Sequence, residues 1–104
     1  MNIGIAIKIV RTELGLSQER LSQLTGLSQT SISQIENGVK SPTKKSLSKI
    51  CKALEIPEAV LYILGMDKSD IPVSRRKIFN DLYPDIKELA MKILGKKTSK
   101  HLTK

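Results

Sequence analysis

Apolar residues recur along this chain at i, i+3, i+4 and i+7, the spacing of amphipathic helices, and no segment alternates apolar and polar positions between hairpin turns. An all-α fold is expected. Ile3, Ile7, Val10 and Leu14 share one stripe and predict a helix over about 2–14 that Gly15 ends. Ser17 is placed to cap a short helix over 18–25 closed by Gly26, and Ser28 to cap another over 29–37 closed by Gly38, so a tight Gly-containing turn joins two helices of about two turns each. A fourth helix follows Ser41-Pro42 with Leu47, Ile50, Cys51 and Leu54 on its stripe. A fifth starts at Pro57 with Val60, Leu61 and Leu64. Beyond a polar stretch from Asp67 to Pro72, residues 74–82 and 84–94 predict two further helices.

The pattern also leaves a surplus. Ile5 and Ile9 fall opposite the core stripe of the first helix, where a helix covered on one face only should be polar. The C-terminal segment has its own surplus in Ile78, Phe79, Leu82 and Tyr83, then Ile86, Leu89, Ala90 and Ile93. These stripes must be buried against the main domain, a second copy or a foreign partner. One arrangement lays Ile86, Leu89 and Ile93, or Ile78 and Leu82, over Ile5 and Ile9.

Composition narrows the class of molecule. The 104 residues suit one small core with an appendage, divided here into 1–66 and 67–104, the latter read as a linker, a two-helix extension and a basic tail. The longest apolar run, Ala59 to Leu64, is far short of the roughly 20 residues that cross a bilayer. No membrane association is expected, and the lone Cys51 suits a reduced, cytoplasmic setting. Catalysis has little to work with: Cys51 lies on an apolar stripe, His101 sits in the tail, and no metal-spaced cluster or Gly-rich phosphate loop appears, so neither enzyme activity nor a cofactor is expected. A formal charge of +8 points toward polyanions, with nucleic acid first.

Helical projection of 29–37 places Ile32 and Ile35 on one side and Thr30, Ser33, Gln34 and Asn37 on the other, with Gln29 at the N-terminal end. A helix face kept only for solubility would carry Lys and Glu, which form helices better than Ser, Thr or Asn. Gln and Asn amides instead match the donor and acceptor pair on adenine's major-groove edge, and hydroxyls serve base or phosphate.

The stretch from Leu16 to Gly38, LSQERLSQLTGLSQTSISQIENG, resembles the helix-turn-helix of the lambda-repressor and Cro-like (XRE-type) regulators. Gln18, Gly26, Gln29, Ile32, Ile35, Glu36, Asn37 and Gly38 stand at that family's spacing, and the likeness extends over about residues 3–65. It implies a five-helix DNA-binding domain followed here by a C-terminal helical extension. It further implies base contacts from Gln29, Thr30, Gln34 and Ser33, and phosphate contacts from Ser17, Gln18, Asn37, Lys40, Thr43 and Lys44. Gln18 would also buttress Gln29 through an amide hydrogen bond, and Arg11 and Glu36 would form a largely buried ion pair. Lys45, Lys49 and Lys52 read as a solvated face. Ser22 and Thr25 depart from the family pattern, which favours Ala and a larger aliphatic there; both hydroxyls are expected to bond back to carbonyls one turn earlier. The implied function is a sequence-specific transcription regulator, a repressor acting as a homodimer on double-stranded DNA. The alternative is an antitoxin-like module that grips a protein partner through its extension and also regulates its own operon.

Overall fold

The structure, a computed structural model, describes the backbone of residues 1–102 and the side-chain surroundings of residues 1–95. Within them the chain is all helical: α1 (Ile3–Glu13), α2 (Gln18–Thr25), α3 (Gln29–Glu36), α4 (Lys44–Leu54), α5 (Glu58–Gly65) and a long α6 (Arg76–Leu102). No helix among the described residues is long and apolar enough to cross a membrane.

Side chains that accept orphan backbone N–H groups set most of the helix starts. Asn2 Oδ1 accepts from Ile5, Ser17 Oγ from Arg20, Ser28 Oγ from Ser31 and Thr43 Oγ1 from Ser46, all at 2.9–3.0 Å. The fourth helix begins at Lys44 behind Thr43, just after Ser41-Pro42 as expected. Gly26 closes α2 at φ 76°, a left-handed conformation that a Cβ disfavours, and this lets the chain reverse into α3 within three residues.

One apolar core joins the first five helices. Ala6, Ile7 and Val10 from α1, Leu21 from α2, Ile32 and Ile35 from α3, Leu47, Ile50, Cys51 and Leu54 from α4, and Val60, Leu61 and Leu64 from α5 are all buried. Helix α1 is the hub, packed on both α3 and α5. Its closest approach is at Gly4, where a Cβ would lie 2.1 Å from the Ile35 carbonyl oxygen, so only glycine permits this crossing. Thr25 bonds back to the Leu21 carbonyl at 2.8 Å, whereas Ser22 bonds forward across the turn to the Leu27 carbonyl. The forward bond clips the two ends of the Gly26 turn together.

The C-terminal segment departs from the expected pattern in three ways. Residues 67–72 are no plain linker: Lys68–Asp70 form a 3-10 turn in which the Asp67 and Asp70 side chains cap each other's backbone, and Val73–Arg75 form a second. Arg76 Nε donates to the Lys68 and Ile71 carbonyls and binds this stretch to the start of α6. Secondly, the two helices expected on either side of Pro84 are one helix with Pro84 inside it. Proline removes a ladder bond and costs about 3 kcal/mol in a helix interior; contacts on both sides of it hold the two halves in line. Phe79 and Tyr83 stack with ring centroids 4.8 Å apart, the Tyr83 hydroxyl donates to the Ile63 carbonyl at 2.6 Å, and Ala90 and Leu94 are buried in the core. Asn80, whose carbonyl loses its partner, is exposed to water. Thirdly, the extension does fold back on α5 and α1, yet through Tyr83, Ala90 and Leu94 and not through the stripe expected to cover Ile5 and Ile9. Ile9 is partly buried against the core, while Ile5 stays about half exposed. The basic tail expected from Gly95 and its His101 fall, for their side chains beyond 95, outside the described residues.

Candidate nucleic-acid interface

Helix α3 is divided by its own sequence. Ile32, Ile35 and Glu36 face inward and are buried, while Gln29, Thr30 and Gln34 are exposed and Ser33 is half-buried. With Gln18 from the start of α2, these four line a shallow cleft of about 320 Å³. Among the described residues, the side chains of Gln29, Thr30 and Gln34 make no internal hydrogen bond, so their donors and acceptors are available to a ligand. Ser33 Oγ accepts weakly from the Asn37 amide at 3.4 Å.

Beneath this face lies a charged anchor. Arg11 Nε and Nη2 donate to Glu36 Oε2 and Oε1 at 2.6 and 2.9 Å, a two-pronged bond, and Nη1 donates to the Leu16 carbonyl at 2.7 Å. Burial pushes the Glu36 carboxyl up, but the Arg11 guanidinium, the Gln18 amide and the charge of Lys8 more than offset it, so the group lies below the ordinary carboxylate range. Arg11 is raised in turn, chiefly by its bond to Glu36. Gln18 completes the cluster: its amide donates to Glu36 Oε1 at 3.0 Å. The Gln18 bond expected to buttress Gln29 is thus made to Glu36, because an ionised carboxylate is a stronger acceptor than a neutral amide. Sequence reasoning missed this role, since nothing in the spacing of Gln18 separates one acceptor from the other. One carboxylate therefore ties α1, α2 and α3 together.

The other candidates flank this face. Ser17 and Gln18 sit at the N-terminus of α2. Asn37 caps the C-terminus of α3 and is exposed. The Val39 and Lys40 amides both donate to the Gln34 carbonyl, at 2.9 and 3.2 Å, so the loop turns back on α3 and starts Lys40 beside the polar face. The Thr43 hydroxyl is engaged with Ser46 as the cap of α4. Lys40 and Lys44 are exposed and, among the described residues, join no ion pair. Cys51 lies apart from this site, buried in the core with its thiol pushed up to about 11 by burial, and hence protonated at neutral pH.

Two short helices joined by a tight Gly turn, the second carrying an exposed amide-rich face, define a helix-turn-helix module. The family described as Helix-turn-helix matches residues 7–61, more than half of the chain. Two uncharacterized HTH-type transcriptional regulators from two strains of Mycobacterium tuberculosis are each 36% identical to it over 80 residues, covering 75% of this chain and 57% of each relative. The chain thus spans little more than half the length of the relatives it matches. It belongs to the helix-turn-helix family of lambda-repressor and Cro-like (XRE-type) regulators.

Proposed function

We propose that the chain is a sequence-specific DNA-binding transcription regulator, a repressor that acts in the cytoplasm as a homodimer on a two-fold symmetric operator. The observation that carries this reading is the uncharged, internally unbonded face of Gln29, Thr30 and Gln34 on α3. Set in the major groove, Gln29 and Gln34 each offer a donor and an acceptor to the N6 and N7 edge of adenine; Thr30 adds a hydroxyl and a methyl group, and Ser33 a further hydroxyl. Lys40 and Lys44 supply charge to the flanking phosphates. Ser17, Gln18, Asn37 and Thr43 contribute neutral contacts from side chain or backbone that fix the register. A helix of this length reads only a few base pairs, so two copies are needed, with half-sites about 34 Å apart. Repression requires no more than occupancy of the operator.

Selection of bound sequences from a random duplex pool tests the reading. Enrichment of one two-fold symmetric motif is expected, and recovery of unrelated sequences in proportion to their input would refute it.

A further inference from the structure

We infer that the outward face of α6 is the surface through which two copies of the chain associate, as an antiparallel helix pair centred near Ile86. Along α6, Ile78, Leu82, Ile86, Leu89 and Ile93 are 46–64% exposed although the helix is docked on the core. At 100° per residue all five fall within an arc of about 80°, next to but distinct from the arc of Tyr83, Ala90 and Leu94 that the core covers. The outward apolar arc of α6 is thus about twice as wide as the arc that the core covers.

Three features select a second copy as the occupant. The first is area. Five Leu and Ile residues about half exposed present roughly 500 Å² per copy, which matches the apolar share, about 65%, of the ~800 Å² that each partner buries in a stable interface. The second is spacing. An antiparallel pair sets Ile78 against the partner's Ile93, Leu82 against the partner's Leu89, and Ile86 against its own copy. A two-fold interface demands this self-complementarity, and a foreign partner does not. The third is charge. Asp81, Asp85 and Lys92 edge the stripe on its solvent side, where Lys92 holds only an exposed 3.5 Å pair to Glu88. Antiparallel packing brings Asp81 near the partner's Lys92, twice over, and sets Asp85 near its own copy and the partner's Glu88 about the axis. Because α6 lies on α5 and α1 while α3 lies on α1 and α2, the pairing leaves the polar face of α3 free. It supplies the two-fold arrangement that the proposed operator reading requires, and rests on that reading for its purpose alone.

Sedimentation velocity of the full chain without DNA tests the pairing. A dimer is expected at micromolar concentration. Leu82→Glu with Leu89→Glu should raise its dissociation constant by about 100-fold or more while far-UV dichroism and melting of the monomer stay unchanged, since both side chains are already exposed. Asp85→Asn should tighten the dimer several-fold by removing a like charge beside the two-fold axis. Ile86→Cys should cross-link to its own copy on oxidation, whereas Ile78→Cys should do so only when mixed with Ile93→Cys; buried Cys51 does not compete. A chain that stays monomeric at about 0.1 mM, a dimer indifferent to the glutamates, or an Ile78→Cys homodimer that cross-links as well as Ile86→Cys would overturn the proposal. A chain that dimerises but selects no DNA sequence would refute the operator reading alone.

Discussion

Helices α3 and α6 each leave one face uncovered, and the two faces are chemical opposites. The outer side of α3 carries amides and hydroxyls, those of Gln29, Thr30 and Gln34 with no partner among the described residues; that of α6 carries exposed Leu and Ile. Exposed amides cost little in water, and their placement is explained by what they can bond. Exposed aliphatics on a docked helix are explained by what they can exclude. The two also differ in how they are held. Helix α3 is fixed by two buried isoleucines, a buried carboxylate and the crossing at Gly4, whereas α6 is held by a few contacts spaced along its length. The face proposed to read DNA needs its geometry fixed; the one proposed for association needs only to be presented.

The largest effect expected concerns what fixes α3. Replacing Arg11 by Met or Glu36 by Leu leaves the other charge buried and unpaired, and each change alone should destabilise by about 3–5 kcal/mol in urea unfolding. The double replacement should recover much of that loss. The pair also carries a pH dependence. Since the Glu36 carboxyl is depressed in the folded state, its contribution is fully present above the ordinary carboxylate range and disappears as pH falls through the lowered value. Melting temperature should therefore drop more steeply on acidification in the native chain than in the Arg11→Met, Glu36→Leu double variant.

Next comes the contrast within α6 itself. Leu94 is 1% exposed, so Leu94→Ala should cost about 2–4 kcal/mol. Leu89→Ala, on the neighbouring face, should change the stability of the dilute monomer by less than about 0.5 kcal/mol. Equal losses would mean that the two faces are not distinct. On α3, Gln34→Ala should weaken operator binding by about 1–3 kcal/mol while sparing both nonspecific binding and melting temperature. Equal losses on operator and random DNA would remove the base-reading role. The smallest effect is that of Lys40→Ala, which should weaken all duplexes alike and reduce the salt slope by about one ion per copy.

Much of the fold is legible along the chain wherever local chemistry decides. Ser17 and Ser28 have free hydroxyls beside orphan amides, and Gly26 is where a left-handed residue is needed; these features act over three or four residues and show in the sequence. The stripes that fill the core show for the same reason. What tertiary contact decides is not visible. Pro84 carries a local signal to break a helix, and the Tyr83 bond to Ile63, twenty residues back, overrides it. Of the two adjacent apolar arcs on α6, periodicity cannot tell which one docks, since both are apolar and the choice rests on contacts with α5 and α1. The placement of Gln18 beside α3 was legible, but its acceptor was not.

The separation of the anchor from the proposed reading face has an evolutionary consequence. Because the side chains of Gln29, Thr30 and Gln34 make no hydrogen bond among the described residues, exchanging them leaves the Arg11, Gln18 and Glu36 cluster and the core untouched. Duplicated copies of such a gene can therefore drift toward new target sequences through a handful of surface substitutions, each nearly neutral for folding. A library randomised at these three positions should yield soluble, folded variants in most of its members, and new specificities without any compensating change elsewhere.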